Sequence, residues 1–276
     1  MSLLRQGIEL VIEELRQLQS RTDLRYDRTI LDRIGQLRAL VALESARTEE
    51  KAVVAESVSV TMPAFRVKLS KREKFDHLQQ ATLACCQCPH LVAFRHQVVF
   101  GVGNPEAELM FVGEAPGADE DLQGEPFVGR AGELLTRIIQ TMGFSRQEVY
   151  IANVLKCRPD MPPGKSGNRP PTAEEMATCL PYLREQIALI EPKLMVALGG
   201  VAMRGLLGVD QPMKSLRGRW HQFAGIPVMP TFHPSYLLRN QSLTEKRKVW
   251  EDMLLVLERL GRPITERQRN FFLSKN

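Results

Sequence analysis

Five cysteines carry the first chemical signal: Cys85, Cys86, Cys88, Cys157 and Cys179. Cys85 and Cys88 form a C-x-x-C pair followed by Pro89. Such a loop places two sulfurs on one small ion or cluster. Cys157 and Cys179 lie far downstream and would have to arrive through the fold. Four thiolates can hold a cubane iron–sulfur cluster or a zinc ion. Ordinary buried thiols at Cys157 and Cys179 are the plainer reading, and spacing alone leaves all three open. Cys86 lacks the two-residue spacing to Cys88. An odd number of cysteines argues against a disulfide framework.

A second group of residues suits a polar ligand. Gly113-Glu114-Ala115-Pro116-Gly117 allows a sharp turn and a close approach of backbone N–H groups. It is neither a dinucleotide fingerprint nor a P-loop, and a purely structural turn fits it too. Asn153 has donors and an acceptor able to pair with a base edge, or to cap its own turn. Phe127, in the Gly-rich stretch 124–129, could stack on a base or plug its loop. His233 precedes Pro234, which holds its backbone extended, and could donate to a developing anion. Arg217, Arg219, Arg239, Lys246, Arg247 and Lys248 could contact phosphates or form a solvated charged face.

These residues need elements to carry them. The chain has 276 residues, 43% hydrophobic, with a net charge of +5, enough for one sizeable core plus an appendage. A basic balance is compatible with a polyanionic partner without requiring one. No long apolar run marks a membrane span and the N-terminus lacks a secretory pattern, so a cytoplasmic protein is expected. Residues 1–45 read as a helical extension, with Ile8, Ile12 and Leu15 on one face and Ile30, Ile34, Leu37 and Val41 on another. Residues 46–70 lose periodicity and read as a linker. From 71 to 262, short apolar runs (108–112, 149–152, 194–198, 227–229) alternate with helical patterns. Thr172-Ala-Glu-Glu175 is a capping box for a helix running to about Ile190. This alternation predicts an α/β domain with a parallel sheet flanked by helices. Residues 263–276 are left as a C-terminal tail. The Gly-rich and polar segments follow the strands, so they would converge at the carboxyl edge of the sheet, where open α/β sheets bind ligands.

Four segments in order, GEAPGADED (113–121), PFVGRAG (126–132), NVLKCRP (153–159) and HPSYLLR (233–239), resemble the family-4 iron–sulfur uracil-DNA glycosylases. The resemblance spans about residues 80–262. It implies a three-layer α/β/α fold with a central parallel four-stranded sheet, and removal of uracil from DNA by hydrolysis of its N-glycosidic bond. It assigns a [4Fe–4S] cluster to Cys85, Cys88, Cys157 and Cys179. It also implies that Phe127 stacks on the flipped uracil and that Asn153 reads its N3–H and O4. His233 would then stabilise charge at O2. Glu114 and Ala115 would line the base and the attacking water, with Glu120 on the water side. Tyr236, Leu237, Leu238 and Arg239 resemble the loop that enters the vacated duplex, and Arg217 and Arg219 are phosphate candidates. Uracil-containing DNA, single- or double-stranded, is the implied partner, with no membrane. A related glycosylase with altered base choice, or a non-catalytic iron–sulfur DNA-binding protein, are the competing readings. Residues 160–167 look inserted relative to the family, and the N-terminal 70 residues fall outside its core.

Overall fold

The structure, a computed structural model, describes residues 69–162, 164–165 and 167–273. The helical extension expected at 1–45, and the linker up to residue 68, lie outside the described residues.

Ser70 starts α1 (Lys71–Leu83) with a reciprocal capping box to Glu73, which satisfies two backbone donors at the helix end. Helix α2 (Pro89–Phe94) follows directly on Cys88, with proline in its first turn. Then come β1 (Val102–Gly103), β2 (Leu109–Gly113), α3 (Ala118–Gln123), α4 (Arg130–Thr141) and β3 (Tyr150–Asn153). Helix α5 (Ala173–Ile190) begins at Thr172, whose side chain accepts from the Glu175 N–H, as its capping box predicts. The chain continues through β4 (Leu194–Leu198), α6 (Gly200–Leu207), α7 (Met213–Leu216), β5 (His221–Phe223) and β6 (Ile226–Thr231). It closes with α8 (Pro234–Arg239), α9 (Leu243–Arg259) and α10 (Glu266–Arg269).

The sheet has six strands in the order β1-β3-β2-β4-β6-β5. The inner four are parallel. The outer two, β1 and β5, pair antiparallel with β3 and β6. The sheet is therefore mixed and wider than the four parallel strands expected. The edge strands escape a sequence reading because they are only two and three residues long and partly exposed, with no apolar run to mark them.

Alternation along the parallel strands builds two cores. Met110, Val112, Ala152, Met195 and Ala197 face one side, with Leu183 and Ile187 of α5 and Met203 of α6. Leu109, Phe111, Ile151, Val196 and Met229 face the other, with Leu135 and Ile139 of α4 and Trp250, Met253 and Val256 of α9. A period of two in the strands and helices on both faces give three layers. Each such aliphatic or aromatic side chain contributes about 1.5–3 kcal/mol on burial. Packing continues past Arg262: Phe271 meets Trp250 edge-on, and the Gln268 amide donates to the Thr141 carbonyl.

From β2 the chain steps to β3 on one side and then returns to β4 on the other. This reversal opens a crevice at the carboxyl ends of β2 and β4.

Candidate active site and cysteine centre

The crevice is a cleft of about 440 Å³. The turn after β2 supplies Glu114, Ala115 and Gly117, α3 supplies Glu120, the loop after it supplies Phe127, and β3 supplies Asn153. The start of α6 adds Gly199 to Val201, and α8 adds His233, Ser235 and Arg239. The structure thus brings together Glu114, Ala115, Glu120, Phe127, Asn153, His233 and Arg239, which sequence reasoning singled out from separate segments.

Gly113 sets the floor. It pairs in register with Asn153. A Cβ there would overlap Asn153 Oδ1 and come within 2.5 Å of Phe127 Cζ, so only glycine lets the amide and the ring converge. The Val154 N–H donates to the Gly113 carbonyl and the Leu155 N–H to that of Glu114, locking the two strand exits together. Asn153 is 2% exposed, and its Oδ1 is buried without a hydrogen-bond partner among the described residues. An orphaned buried amide oxygen costs about 1–3 kcal/mol, so a native protein keeps one only where something else satisfies it.

Phe127 has φ 56°, in the left-handed region that a bulky side chain avoids. Three contacts impose this strain. Glu120 Oε1 accepts from the Val128 and Gly129 N–H groups at 3.2 and 3.3 Å, and its Oε2 accepts from the Gly117 N–H. Arg146 donates to the Pro126 carbonyl at 2.9 Å. Gly132 lets α4 approach the Phe127 carbonyl more closely than any Cβ would allow. Glu120 is therefore a brace between two loops of the cleft. The Phe127 and His233 rings lie 5.5 Å apart, tilted by 32°.

His233 is the N-cap of α8. Its Nδ1 accepts from the Ser235 N–H at 3.1 Å, with the Ser235 hydroxyl 2.8 Å away. A backbone N–H can only donate, so Nδ1 is the acceptor and the ring proton sits on Nε2. Burial, aided by the Arg239 charge, pushes the pKa of His233 down to about 4. The ring is neutral at pH 7, with one N–H free to donate. Burial pushes the Glu114 carboxyl up, against the pull of Arg204.

The basic and α8 candidates divide. Arg239 is exposed at the cleft. Arg219 is exposed but does not line it. Arg217 is not a free phosphate ligand: its guanidinium donates to both carboxylate oxygens of Asp252, which is fully buried, and to the Lys248 carbonyl. Tyr236 stacks on Phe232 at 4.5 Å and donates to Glu245, and Leu238 lines a separate groove with Leu134 and Trp250. Sequence reasoning missed Asn168, Arg169 and Pro170, which form another wall of the cleft. They belong to the irregular stretch before α5, where no periodicity could announce them.

The cysteines gather beside the cleft. Cys157 and Cys179 are buried in one apolar cluster with Leu91, Val98 and Leu155, and Cys88 and Ala115 pack against it. Cys85 lies within charge range of Cys88, Cys157 and Cys179, while Cys86 is exposed. Burial pushes the thiols of Cys88 and Cys157 up and that of Cys179 to about 11, and charge on neighbouring sulfurs raises each further. Three thiols whose ionised forms are disfavoured in this way, gathered beside Cys85, suit a positively charged centre that would hold them as thiolates. N–H groups already point at the sulfurs: Arg95 Nη1 donates to Cys157 Sγ at 2.9 Å, and the Lys156 N–H to Cys179 Sγ at 3.3 Å.

A family model described as the uracil DNA glycosylase superfamily matches residues 100–254. The type-4 uracil-DNA glycosylase of Thermotoga maritima is 43% identical over 188 residues, 67% of this chain and 93% of that protein. That of Saccharolobus solfataricus is 41% identical over 190 residues, 65% of this chain and 84% of its own length. A type-5 uracil-DNA glycosylase of Pyrobaculum aerophilum is 29% identical over 195 residues, 59% of this chain and 83% of that one. With an α/β sheet whose cleft collects the motif residues, and relatives matched over most of their length, this chain belongs to the uracil DNA glycosylase superfamily, in its type-4 branch.

Proposed function

We propose that the chain removes uracil from DNA, holding the extruded base between Phe127, Asn153 and His233 and hydrolysing the bond to its sugar. The observation that carries this reading is Asn153, a residue lining the cleft whose buried Oδ1 has no hydrogen-bond partner among the described residues. Uracil offers N3–H as a donor and O4 as an acceptor, and one amide answers both: Oδ1 takes the N3–H and Nδ2 donates to O4. Cytosine presents the reverse pattern, which would leave buried groups unpaired. The base must leave the duplex to reach such a site.

Cleavage moves the bonding pair onto uracil, with negative charge gathering at O2, and leaves positive charge on the sugar. The neutral His233 donates from Nε2 to O2. Because its proton position is fixed beforehand by Ser235, no reorganisation is needed as charge develops. Water adds its hydroxyl to the sugar carbon and gives up a proton, which Glu114, lining the cleft, accepts when ionised. Arg239, exposed at the rim, is the phosphate contact that the geometry favours over Arg217.

Cys85, Cys88, Cys157 and Cys179 are the ligand set for a [4Fe–4S] cluster. Bound there, it would tie the Cys85–Cys88 loop to the exit of β3 and to α5. The experiment is incubation with a uracil-containing oligonucleotide, single- and double-stranded. Free uracil and alkali-labile sites are expected, together with brown absorbance that Cys157→Ala loses. Binding without uracil release would overturn the reading in favour of a non-catalytic DNA-binding protein.

A further inference from the structure

The cleft wall at Asn168–Pro170 stands in a stretch that runs from the end of β3 to the start of α5, with no helix or strand among its described residues. A stretch of that length does not hold a shape by itself. Arg158, whose Nη2 donates to the Gly167 carbonyl at 3.0 Å, ties one part of it down, and Arg169, near its end, makes the largest set of side-chain bonds. The Arg169 guanidinium donates through Nε to the Asp160 carbonyl at 2.7 Å and through Nη2 to the Asp160 carboxylate. It also reaches both oxygens of Glu175, Nη1 to Oε2 at 2.9 Å and Nη2 to Oε1 at 2.6 Å.

Glu175 is 2% exposed and sits in the first turn of α5. Its Oε2 also accepts from the Thr172 N–H at 2.7 Å, and its Oε1 lies 2.8 Å from His90 Nε2. His90 is two residues beyond Cys88. One buried carboxylate therefore joins three segments: the cysteine loop, the cleft wall and the helix start that leads to Cys179.

We infer that the Arg169–Glu175 pair, anchored through His90 to the cysteine loop, is a positioning device that sets the substrate-facing wall of the cleft. The inference rests on the glycosylase reading above. A planar guanidinium facing a carboxylate through two parallel bonds fixes orientation as well as distance, which a lysine cannot do. Asp160, in the stretch that looks inserted relative to the family, closes the other side of the guanidinium, so that stretch braces the wall. His90, Asp160 and Glu175 also bring ligand-type atoms within 4.8 Å of one another. Their cation is already present: the Arg169 guanidinium is bonded to both carboxylates. Glu175→Gln replaces one acceptor oxygen with a donor facing the Arg169 N–H groups, which frees the wall while leaving Phe127, Asn153 and His233 on other elements.

The test is steady-state kinetics on the cluster-containing full chain with a uracil oligonucleotide, comparing wild type, Glu175→Gln and Arg169→Lys. Because the wall shapes binding while the bond-breaking groups stay in place, KM is expected to rise about tenfold in both variants, with kcat within about threefold. Iron per chain and visible absorbance stay at the wild-type level. His90→Gln, altering a half-exposed partner, raises KM about threefold. Arg169 keeps 24% of its side chain exposed, so the lysine variant remains informative if Glu175→Gln fails to fold. Unchanged KM in the folded variants, or a loss of activity that follows iron content at constant KM, overturns the inference alone. A wild-type chain that releases no uracil overturns the glycosylase reading and the inference with it.

Discussion

Asn153 ends β3 and Lys156 follows three residues later, and both are almost wholly buried, at 2% and 1% exposed. They are treated in opposite ways. Lys156 Nζ lies 2.5 Å from the Gln186 Oε1, and the same Gln186 donates to the Phe100 carbonyl and to the Tyr150 hydroxyl at 3.0 Å each. Every polar atom in that group has a partner. Asn153 keeps an oxygen with none. The first arrangement is how a protein closes a buried polar network for stability. The second is incomplete until something enters the cleft. Burial pushes Lys156 down to about 8, so even the satisfied network carries a desolvation cost that its partners must offset.

This contrast can be broken by exchanging the effects. Gln186→Ala leaves the Lys156 ammonium without its hydrogen-bond partner and is expected to destabilise the fold by about 1–3 kcal/mol. The folded fraction should keep normal uracil release. Asn153→Ala should do the reverse: uracil release falls by about 10³-fold, while the denaturant midpoint stays or rises because an unpaired oxygen is gone. Denaturant titration and single-turnover release, run on both variants, check the pair. If Asn153→Ala unfolds as readily as Gln186→Ala, Asn153 is structural after all.

His233→Gln should lower the rate by about 10²–10³. It also gives a pH signature with a fixed sign. A histidine at about 4 in the fold and about 6.5 in the unfolded chain binds more protons when unfolded. Its contribution is therefore fully present above pH 6.5 and is lost as pH falls toward 4, by up to about 3 kcal/mol. Stability measured across that window should fall less steeply in His233→Gln than in wild type, and identical slopes would mean that folding leaves the His233 pKa where it is in the unfolded chain. Gly113→Ala drives a methyl into Asn153 and Phe127, and about 10²-fold of activity should go, together with about 1–3 kcal/mol of stability from overpacking. The smallest effect is expected for Arg239→Ala, which should weaken DNA binding and lower the salt slope by about one ion. Arg217→Ala should leave that slope alone and lower stability instead, because Asp252 would be stranded in the interior.

Much of this was legible in the sequence because it is encoded locally. The parallel strands are short apolar runs, and Thr172 with Glu175 announces α5. Gly113, Phe127, Asn153 and His233 sit in motifs that follow strands, and topology then gathers them. What was not legible depends on partners distant in the chain. Arg217 reads as a surface cation until Asp252 is found beneath it. The antiparallel edges are too short to leave a pattern. Arg169 belongs to an irregular stretch, and its importance lies in bonds to Asp160 and Glu175 that no local spacing reveals. The strain at Phe127 is likewise set by Glu120 and Gly132, which reach it from flanking segments.

The central claim is that the unpartnered Oδ1 of Asn153 is kept for the N3–H of uracil. The most direct measurement is inhibition of uracil release by free uracil and by 3-methyluracil, whose N3 has no hydrogen to give. Wild type should be inhibited at least about tenfold more tightly by uracil, and Asn153→Ala should bind the two alike. Equal inhibition of wild type by both compounds would contradict the account, because the oxygen would then be reading something else.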